Sequence, residues 1–196
     1  MRIISGRFKR YTLTPIPNNI KLIRPTSDYT RECIFNILHS MHAENLKSDN
    51  FMTGKYVLDM FAGAGTLGLE AISRGAQHVH FVDISSLSCN LITRNINKLG
   101  VHNHATVSSM DALKFDVYNK SKKVNYVFID PPYSSGLINS ALDSIHQKRL
   151  LSDNALIICE HGVKDELISH SAFELVFSKK HRKTHLLFLR YTNDDI

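Results

Sequence analysis

The fold of this chain is decided by residues 57–68, which read Val57-Leu58-Asp59-Met60-Phe61-Ala62-Gly63-Ala64-Gly65-Thr66-Leu67-Gly68. The stretch begins as a short apolar run, which is typical of a buried strand, and continues into a helical segment over residues 67–74. Its three glycines have the G-x-G-x-x-G spacing that lets the backbone approach a nucleotide closely at a strand-to-helix turn. The stretch therefore predicts a strand, a glycine loop and a helix that together bind a nucleoside-type cofactor.

Two acidic residues near this loop indicate which cofactor it binds. Asp83 ends the next apolar run, 20 residues after Gly63, where a carboxylate can accept hydrogen bonds from ribose hydroxyls. Asp59 lies four residues before Gly63, and its negative charge would oppose a pyrophosphate but suit a ligand with an amino group and a sulfonium. We therefore expect S-adenosyl-L-methionine as the cofactor and place a dinucleotide second. The alternative for Asp59 is a helix-capping or turn residue.

Size and composition predict one well-buried domain in a reducing compartment. The chain has 196 residues, a hydrophobic fraction of 43% and no uninterrupted apolar run long enough to span a membrane. Its first residues lack the pattern of a secretory signal, and its three cysteines are odd in number and scattered, as expected for free thiols. The eleven histidines show no recognised ligand spacing. We expect a cytoplasmic protein with no metal site and no membrane partner.

The net charge of the chain is concentrated near its N-terminus. Residues 1–31 contain seven basic side chains and one acidic one, so this segment carries the whole net charge of +6. Localised positive charge is the usual footprint of a polyanionic partner, although a merely basic surface would look the same. Short β-rich pieces broken by prolines in residues 2–23 predict a small hairpin whose basic and aromatic residues contact RNA.

The rest of the chain alternates apolar strand-like runs with amphipathic helical segments. The runs are 57–60, 78–83, 105–107, 124–129 and 155–159, and a closing pair, 173–177 and 185–191, follows around a basic turn at 179–183. This alternation predicts a doubly wound α/β sheet of seven mostly parallel strands, a Rossmann-like fold. We divide the chain into a basic N-terminal hairpin extension, residues 1–23, and a main domain, residues 24–192.

Four acidic residues lie at or just after the ends of the first four apolar runs, namely Asp59, Asp83, Asp111 and Asp130. In open α/β sheets, ligands bind beyond the carboxyl ends of the strands, where the strand order reverses. Acids also favour strand ends because turns are polar, but four in succession are expected to converge on one edge of the sheet.

Asp130-Pro131-Pro132-Tyr133 is the most specific motif in the chain. Methylation of an exocyclic base amine needs hydrogen-bond acceptors aimed at the two N–H bonds, because they turn the delocalised lone pair toward the methyl group. The Asp130 carboxylate and a backbone carbonyl of the proline region can supply them, and the prolines stiffen the loop. The Tyr133 ring offers a stacking surface for an unstacked base. A simple proline turn would explain the prolines but not the rest of the motif.

These motifs resemble those of the bacterial 16S rRNA (guanine(966)-N(2))-methyltransferase family, which are class I S-adenosylmethionine-dependent methyltransferases with a D-P-P-Y motif. The glycine loop and the D-P-P-Y motif alone indicate only the superfamily. The family is indicated by further blocks along nearly the whole chain: Met1-Arg2-Ile3-Ile4-Ser5-Gly6, Arg24-Pro25-Thr26, Arg31-Glu32, Phe35-Asn36-Ile37-Leu38 and Ser73-Arg74-Gly75-Ala76.

The resemblance implies a role for each matching residue. The cofactor would be held by Asp59, Phe61, Gly63, Gly65, Asp83, Ile84, Met110, Asp111 and Ala112. The target guanine amine would be held by Asp130, Pro131, Pro132 and Tyr133. The RNA would be gripped by Arg2, Arg7, Lys9, Arg10 and Arg24. The partner would be 16S rRNA within a small-subunit particle.

The chain departs from the family pattern at two places, Lys9-Arg10-Tyr11 and His181-Arg182, which bear on RNA contact more than on methyl transfer. Our leading interpretation is transfer of a methyl group to N2 of a guanine in 16S rRNA. The alternatives are N6-adenine methylation of DNA, nicotinamide-dependent oxidoreduction, and a basic RNA-binding protein without catalysis.

Overall fold

The computed structural model of the protein describes residues 1–17, 26–42, 51–116, 122–132, 136–162, 170–181 and 184–192. Helices and strands alternate along most of this part of the chain, as the apolar periodicity predicts. The helices are α1 (Asp28–His42), α2 (Thr66–Ser73), α3 (Ser86–Leu99) and α4 (Leu137–Gln147), with short 3-10 turns at His102–His104 and Ala112–Lys114. The strands are β1 (Tyr56–Met60), β2 (His78–Asp83), β3 (Ala105–Ser109), β4 (Val124–Ile129), β5 (Leu151–Gly162), β6 (Phe173–His181) and β7 (Thr184–Tyr191).

The strands form one seven-stranded sheet in the order β3-β2-β1-β4-β5-β7-β6. Strands β1 to β5 are mutually parallel, whereas β7 pairs antiparallel with β5, and β6 pairs antiparallel with β7. The predicted fold class, a mostly parallel α/β sheet of seven strands, is therefore confirmed. The order reverses between β1 and β4, so their carboxyl ends flank the crevice where ligands bind in such sheets.

Helices cover both faces of the sheet and bury two apolar layers. On one face, α1, α2 and α3 pack on alternate strand residues such as Val57, Phe81 and Phe128. On the other face, α4 packs on the intervening residues, such as Leu58 and Val127. Because side chains alternate between the faces of a strand, Asp59 lies on the same face as Val57 and thus toward α2.

The predicted N-terminal β-hairpin is not confirmed. Residues 1–17 form one isolated antiparallel bridge, between Arg2 and Thr12, and no strand, while the third predicted piece, residues 20–23, lies outside the described residues. The physical reason lies in α2. Ile3 donates its N–H to the Tyr11 carbonyl (3.0 Å) and Leu13 to the Met1 carbonyl (3.1 Å), but the next N–H groups, those of Ile4 and Ser5, donate to the Glu70 carboxylate (2.8 and 2.9 Å), so the pairing does not continue into a strand.

Two of the predicted strands are longer than expected. β5 begins four residues before the predicted Ala155 and continues through Glu160, His161 and Gly162, and β6 runs into the predicted basic turn as far as His181. The extension of β5 over 160–162 and that of β6 over 179–181 are both paired with β7, whereas Leu151 at the start of β5 pairs with Val124 of β4, so interstrand pairing overrides the polar composition of these ends. None of the described helices combines the length and the apolar character needed to cross a membrane.

Candidate active site

The glycine loop joins β1 to α2 through a tight turn at the carboxyl edge of the sheet. Gly65 donates its N–H to the Ala62 carbonyl (2.7 Å), and Ala62 donates to the Val82 carbonyl of β2 (3.0 Å). Gly63 and Gly65 adopt positive φ angles of 53° and 69°, which glycine adopts without steric cost. Phe61 also has a positive φ, 57°, which is uncommon for an aromatic residue and typical of functional sites.

The third glycine, Gly68, allows α2 to pack closely on the sheet. A Cβ atom at this position would lie 2.2 Å from the ring of Phe81 in β2 and 2.8 Å from the side chain of Val79. No side chain larger than hydrogen fits there without displacing β2. The glycine spacing that predicts a nucleotide loop thus has two separate causes, a turn at the first two positions and a helix–sheet contact at the third.

Asp83 at the end of β2 is held firmly against the glycine loop. Its carboxylate oxygens accept hydrogen bonds from the backbone N–H groups of Gly63 (2.7 Å) and Ser85 (2.8 Å). Each oxygen keeps a further lone pair, so the carboxylate can still accept two ribose hydroxyls. Beside it, Ile84 is 76% exposed and presents an apolar surface on which a flat ring could lie.

Asp59 is buried in β1, where only 2% of the residue remains exposed. Its Oδ2 accepts a hydrogen bond from the Gly68 N–H (2.9 Å) in the first turn of α2. Asp59 therefore satisfies a backbone donor at the start of this helix, as the helix-capping alternative expects. Burial raises the pKa of Asp59 well above its ordinary value, and the carboxyls of Asp130 and Asp83 raise it further. A cation bound at this edge would lower that pKa again.

The end of β3 lies beside Asp83, because the Met110 N–H donates to the Asp83 carbonyl (3.0 Å). Asp111 then begins the 3-10 turn Ala112–Lys114 and accepts the Leu113 N–H (3.0 Å), while Ala112 is buried. The structure therefore brings the predicted cofactor-binding residues of β1, β2 and β3 to one edge of the sheet, as the strand-end acids indicated.

Asp130 follows β4 directly and lies across the switch point from Asp59. The hydroxyl of Thr26 donates to its Oδ2 (3.2 Å). Burial, together with the neighbouring Glu160 carboxyl of β5, raises the pKa of Asp130 to about 7. Pro131 is buried and Pro132 is exposed, whereas Tyr133 lies outside the described residues. The carboxyl of Asp130 therefore changes charge near neutral pH.

Three residues at this site were not identified as site residues from the sequence: Thr26, Arg31 and Glu160. Arg31 is 1% exposed, and its guanidinium donates to the carbonyls of Thr26 (2.9 Å) and Arg2 (2.7 Å) and to Asp28 (2.8 Å). It thereby fixes Thr26, which contacts Asp130. Only the family block that contains Arg31 pointed to it.

Glu160 had a clearer signal, because it is an acid that directly follows the apolar run 155–159. It lies beside Asp130 because Cys159 pairs with Ile129 in the ladder between β5 and β4. The acids at strand ends therefore include a fifth member.

The basic residues near the N-terminus do not gather at this edge. Arg2 forms an ion pair with Asp28 (3.0 Å), close to Thr26. The turn that carries Arg7, Lys9 and Arg10 instead packs on Ser73, at the far end of α2, where the Arg7 N–H donates to the Ser73 carbonyl (2.7 Å). An eight-residue helix is about 12 Å long, so this turn is roughly that far from the glycine loop. Arg24 lies outside the described residues.

The carboxyl edge thus combines features that suit a cationic nucleoside. A Cβ at Gly63 would meet one atom within 4 Å, the Phe61 carbonyl oxygen at 3.9 Å, so the loop backbone is closely approachable there. The anchored Asp83 carboxylate can bind a diol, the exposed Ile84 can support a ring, and nearby acids favour a positive charge. Asp130, adjacent to these groups, can accept a hydrogen bond from a base amine. The geometry fits the transfer of a group from such a ligand to an amine.

Comparison with known proteins adds the family context. Residues 1–190 match the family model described as conserved hypothetical protein 95. A relative from Escherichia coli named ribosomal RNA small subunit methyltransferase D is 33% identical, with 85% of this chain and 77% of the relative covered. One of the same name from Haemophilus influenzae is 31% identical, with 91% of this chain and 88% of the relative covered. The solved structure of yhhF from Escherichia coli superposes with a TM-score of 0.79 at 28% identity, over 97% of each chain.

Proposed function

Because the chain belongs to the conserved hypothetical protein 95 family, together with the small-subunit rRNA methyltransferases D, we infer that it methylates 16S rRNA. More narrowly, we propose that it transfers a methyl group to the exocyclic N2 amine of a guanine. The main support for this proposal is the position of Asp130. It lies where the strand order reverses, next to Asp59 and the glycine loop, to which we assign the cofactor.

We assign the cofactor site to the carboxyl ends of β1, β2 and β3. S-adenosyl-L-methionine would supply an electrophilic methyl group there. The buried carboxyl of Asp59 and the loop of Gly63 and Gly65 would hold its amino-acid end, where its positive charges offset the repulsion among the acids. Asp83 would accept the ribose hydroxyls, and Ile84 would lie against the adenine.

The proposed chemistry at the guanine amine is mainly one of orientation. The Asp130 carboxylate accepts one N–H of the amine, and a carbonyl in the proline region accepts the other. These bonds would direct the nitrogen lone pair at the electrophilic methyl group that the bound cofactor would supply. The nitrogen then bears a positive charge and releases a proton, which Asp130 can accept because its pKa of about 7 lies well above that of an ordinary carboxyl.

The experiment that tests the function is methyl transfer from labelled S-adenosyl-L-methionine to unmethylated small ribosomal subunits, followed by mass spectrometry of the nucleosides. The proposal requires N2-methylguanosine at a single site. N6-methyladenine formed in DNA supplied as substrate would support the alternative target, and binding of the cofactor without transfer to subunits, free 16S rRNA or DNA would favour a non-catalytic protein.

The role of Asp130 is tested by Asp130→Asn. We expect turnover to fall by about a hundredfold or more, because a neutral amide oxygen accepts the amine N–H more weakly than a carboxylate and cannot accept the proton released afterwards, while cofactor affinity stays within about twofold. Asp153→Asn is the matched control, since Asp153 is exposed on β5. A large loss of cofactor affinity in Asp130→Asn would show that Asp130 belongs to the cofactor site instead.

A further inference from the structure

A groove of about 260 Å³ lies between α1 and the edge strand β6. One wall is a face of α1 that carries Tyr29, Glu32 and Asn36, and Lys179 of β6 lies opposite. The volume is below the range of about 300–1,000 Å³ that is usual for closed small-molecule sites. The groove therefore suits one part of a longer ligand better than a complete small molecule.

The groove opens at the same edge of the sheet as Asp130. Thr26, which donates to Asp130, lies two residues before the start of α1 and three before Tyr29. Across the sheet, Lys179 pairs with Leu186 of β7, and Leu186 pairs with Glu160 of β5, the neighbour of Asp130. The α1 wall is thus linked to Asp130 through Thr26, and Lys179 is linked to it through the paired strands β6, β7 and β5.

The side chains of the groove have the chemistry of a nucleotide site. Tyr29 is 51% exposed, so its ring is accessible to a base. Lys179 is exposed and offers an ammonium for a phosphate. Asn36 and Glu32 provide donors and acceptors for a base edge. The α1 wall alternates polar side chains with the apolar Cys33 and Ile37, a mixed surface that suits the polar edge and the flat face of a base.

We propose that this groove binds an rRNA nucleotide adjacent to the target guanine, with its base stacked on Tyr29 and its phosphate paired with Lys179. This inference rests on the proposed function, because it concerns the same RNA substrate. It supplies positive charge at the catalytic edge, which the turn carrying Arg7, Lys9 and Arg10 does not do because that turn packs at the far end of α2.

The test measures kcat and KM for unmethylated small ribosomal subunits in four variants. We expect Tyr29→Ala to raise KM at least about fivefold, since stacking of one base is worth about 1–3 kcal/mol, and Tyr29→Phe to retain most of the affinity. Lys179→Glu should raise KM and make the salt dependence of binding shallower. Lys122→Glu is the charge-matched control and should leave KM unchanged. Lys122 lies over Tyr56 at the start of β1, so it is at the amino ends of the strands, whereas Asp130 is at their carboxyl ends.

Cofactor affinity, measured by calorimetry, reports separately on the fold and the cofactor site, and should be unchanged in all four variants. If wild-type protein methylates no RNA, the proposed function fails. If wild-type protein is active but Tyr29→Ala and Lys179→Glu have the KM of Lys122→Glu, the groove is not an RNA site. Photo-crosslinking from 4-thiouridine placed in the rRNA should label α1, and crosslinks confined to other segments of the protein would overturn the nucleotide assignment.

Discussion

Replacing Glu70 tests how the N-terminal segment is attached to the domain. Glu70 is fully buried in α2, and its two carboxylate oxygens accept the backbone N–H groups of Ile4 (2.8 Å) and Ser5 (2.9 Å). Oε1 also accepts Nε of Arg74 (2.8 Å), whose guanidinium lies 4.5 Å from the ring centroid of Phe35 in α1. One side chain therefore joins the N-terminal segment to α2 and, through Arg74, to α1.

The magnitude follows from the donors that Glu70→Ala leaves without an acceptor. Each partly buried N–H left unsatisfied costs about 1–3 kcal/mol, so Ile4 and Ser5 together cost about 2–6 kcal/mol. We add nothing for Arg74, because its side chain is 15% exposed and can turn toward water. For a chain of this size, each kcal/mol lowers the Tm by about 2–4 °C, which gives a loss of roughly 4–24 °C. Glu70→Gln keeps one acceptor oxygen and should lose about half as much.

The assay is urea unfolding followed by circular dichroism, with amide hydrogen exchange at Ile4 and Ser5. Faster exchange at both amides should accompany the loss of stability in Glu70→Ala. The same substitution at the exposed Glu32 of α1 is the control and should change stability by less than about 0.5 kcal/mol. A loss below about 1 kcal/mol with unchanged exchange at Ile4 and Ser5 would refute the proposed attachment.

Three further perturbations test the site and the RNA surface. At saturating cofactor, kcat should rise about tenfold per pH unit below pH 7 and level off above it, because Asp130 must be ionised to accept the amine N–H. Glu160→Gln should lower the pH at which kcat levels off, because it removes a charge that raises the pKa of Asp130. A kcat that does not change with pH would show that the ionisation of Asp130 does not limit turnover. Gly68→Ala should lower the free energy of unfolding in urea by about 3 kcal/mol or more, because the added Cβ would clash with Phe81. Gly100→Ala, whose Cβ would meet no atom within 4 Å, should lower it by about 1 kcal/mol, and equal losses in the two variants would contradict the close packing at Gly68. If the N-terminal turn contacts RNA, a flatter salt dependence of subunit binding should follow from joint replacement by alanine of Arg7, Lys9 and Arg10.

The same pKa shift predicts a pH dependence of stability that has the opposite sign to that of kcat. The pKa of Asp130 is raised in the folded protein from its ordinary value of 3.8 to about 7, so the folded state binds this proton more tightly than the unfolded chain does. Its stabilising contribution is complete below pH 3.8 and is lost as the pH rises through 7. Glu160→Gln should reduce this dependence, because it removes one of the charges that raise the pKa.

Sequence patterns identified the local units correctly where local physics decides the structure. The glycine spacing predicts the turn at Gly63 and Gly65 because the tolerance of a positive φ angle is a property of single residues. The alternation of apolar periods predicts the parallel sheet, and with it the shared edge for Asp59, Asp83 and Asp130.

Predictions from composition were less reliable at the ends of elements. The basic residues near His181 suggested a turn, yet β6 continues there because its backbone pairs with β7. The short β-rich pieces at the N-terminus suggested a hairpin, yet the backbone N–H groups of Ile4 and Ser5 donate to the buried carboxylate of Glu70. In both cases hydrogen bonds to a distant segment outweigh local preference.

By itself, then, the sequence determined the fold class, the cofactor loop and the position of Asp130, because each depends on spacing within one strand–loop–helix unit. Only the tertiary structure brought Thr26 into contact with Asp130, 104 residues away, and placed Glu160 beside Asp130. It also placed the basic N-terminal turn at the far end of α2, away from Asp130. Those relations depend on strand order and on contacts between remote segments. Periodicity within a segment carries no information about them, since it records which residues are buried but not which segment buries them.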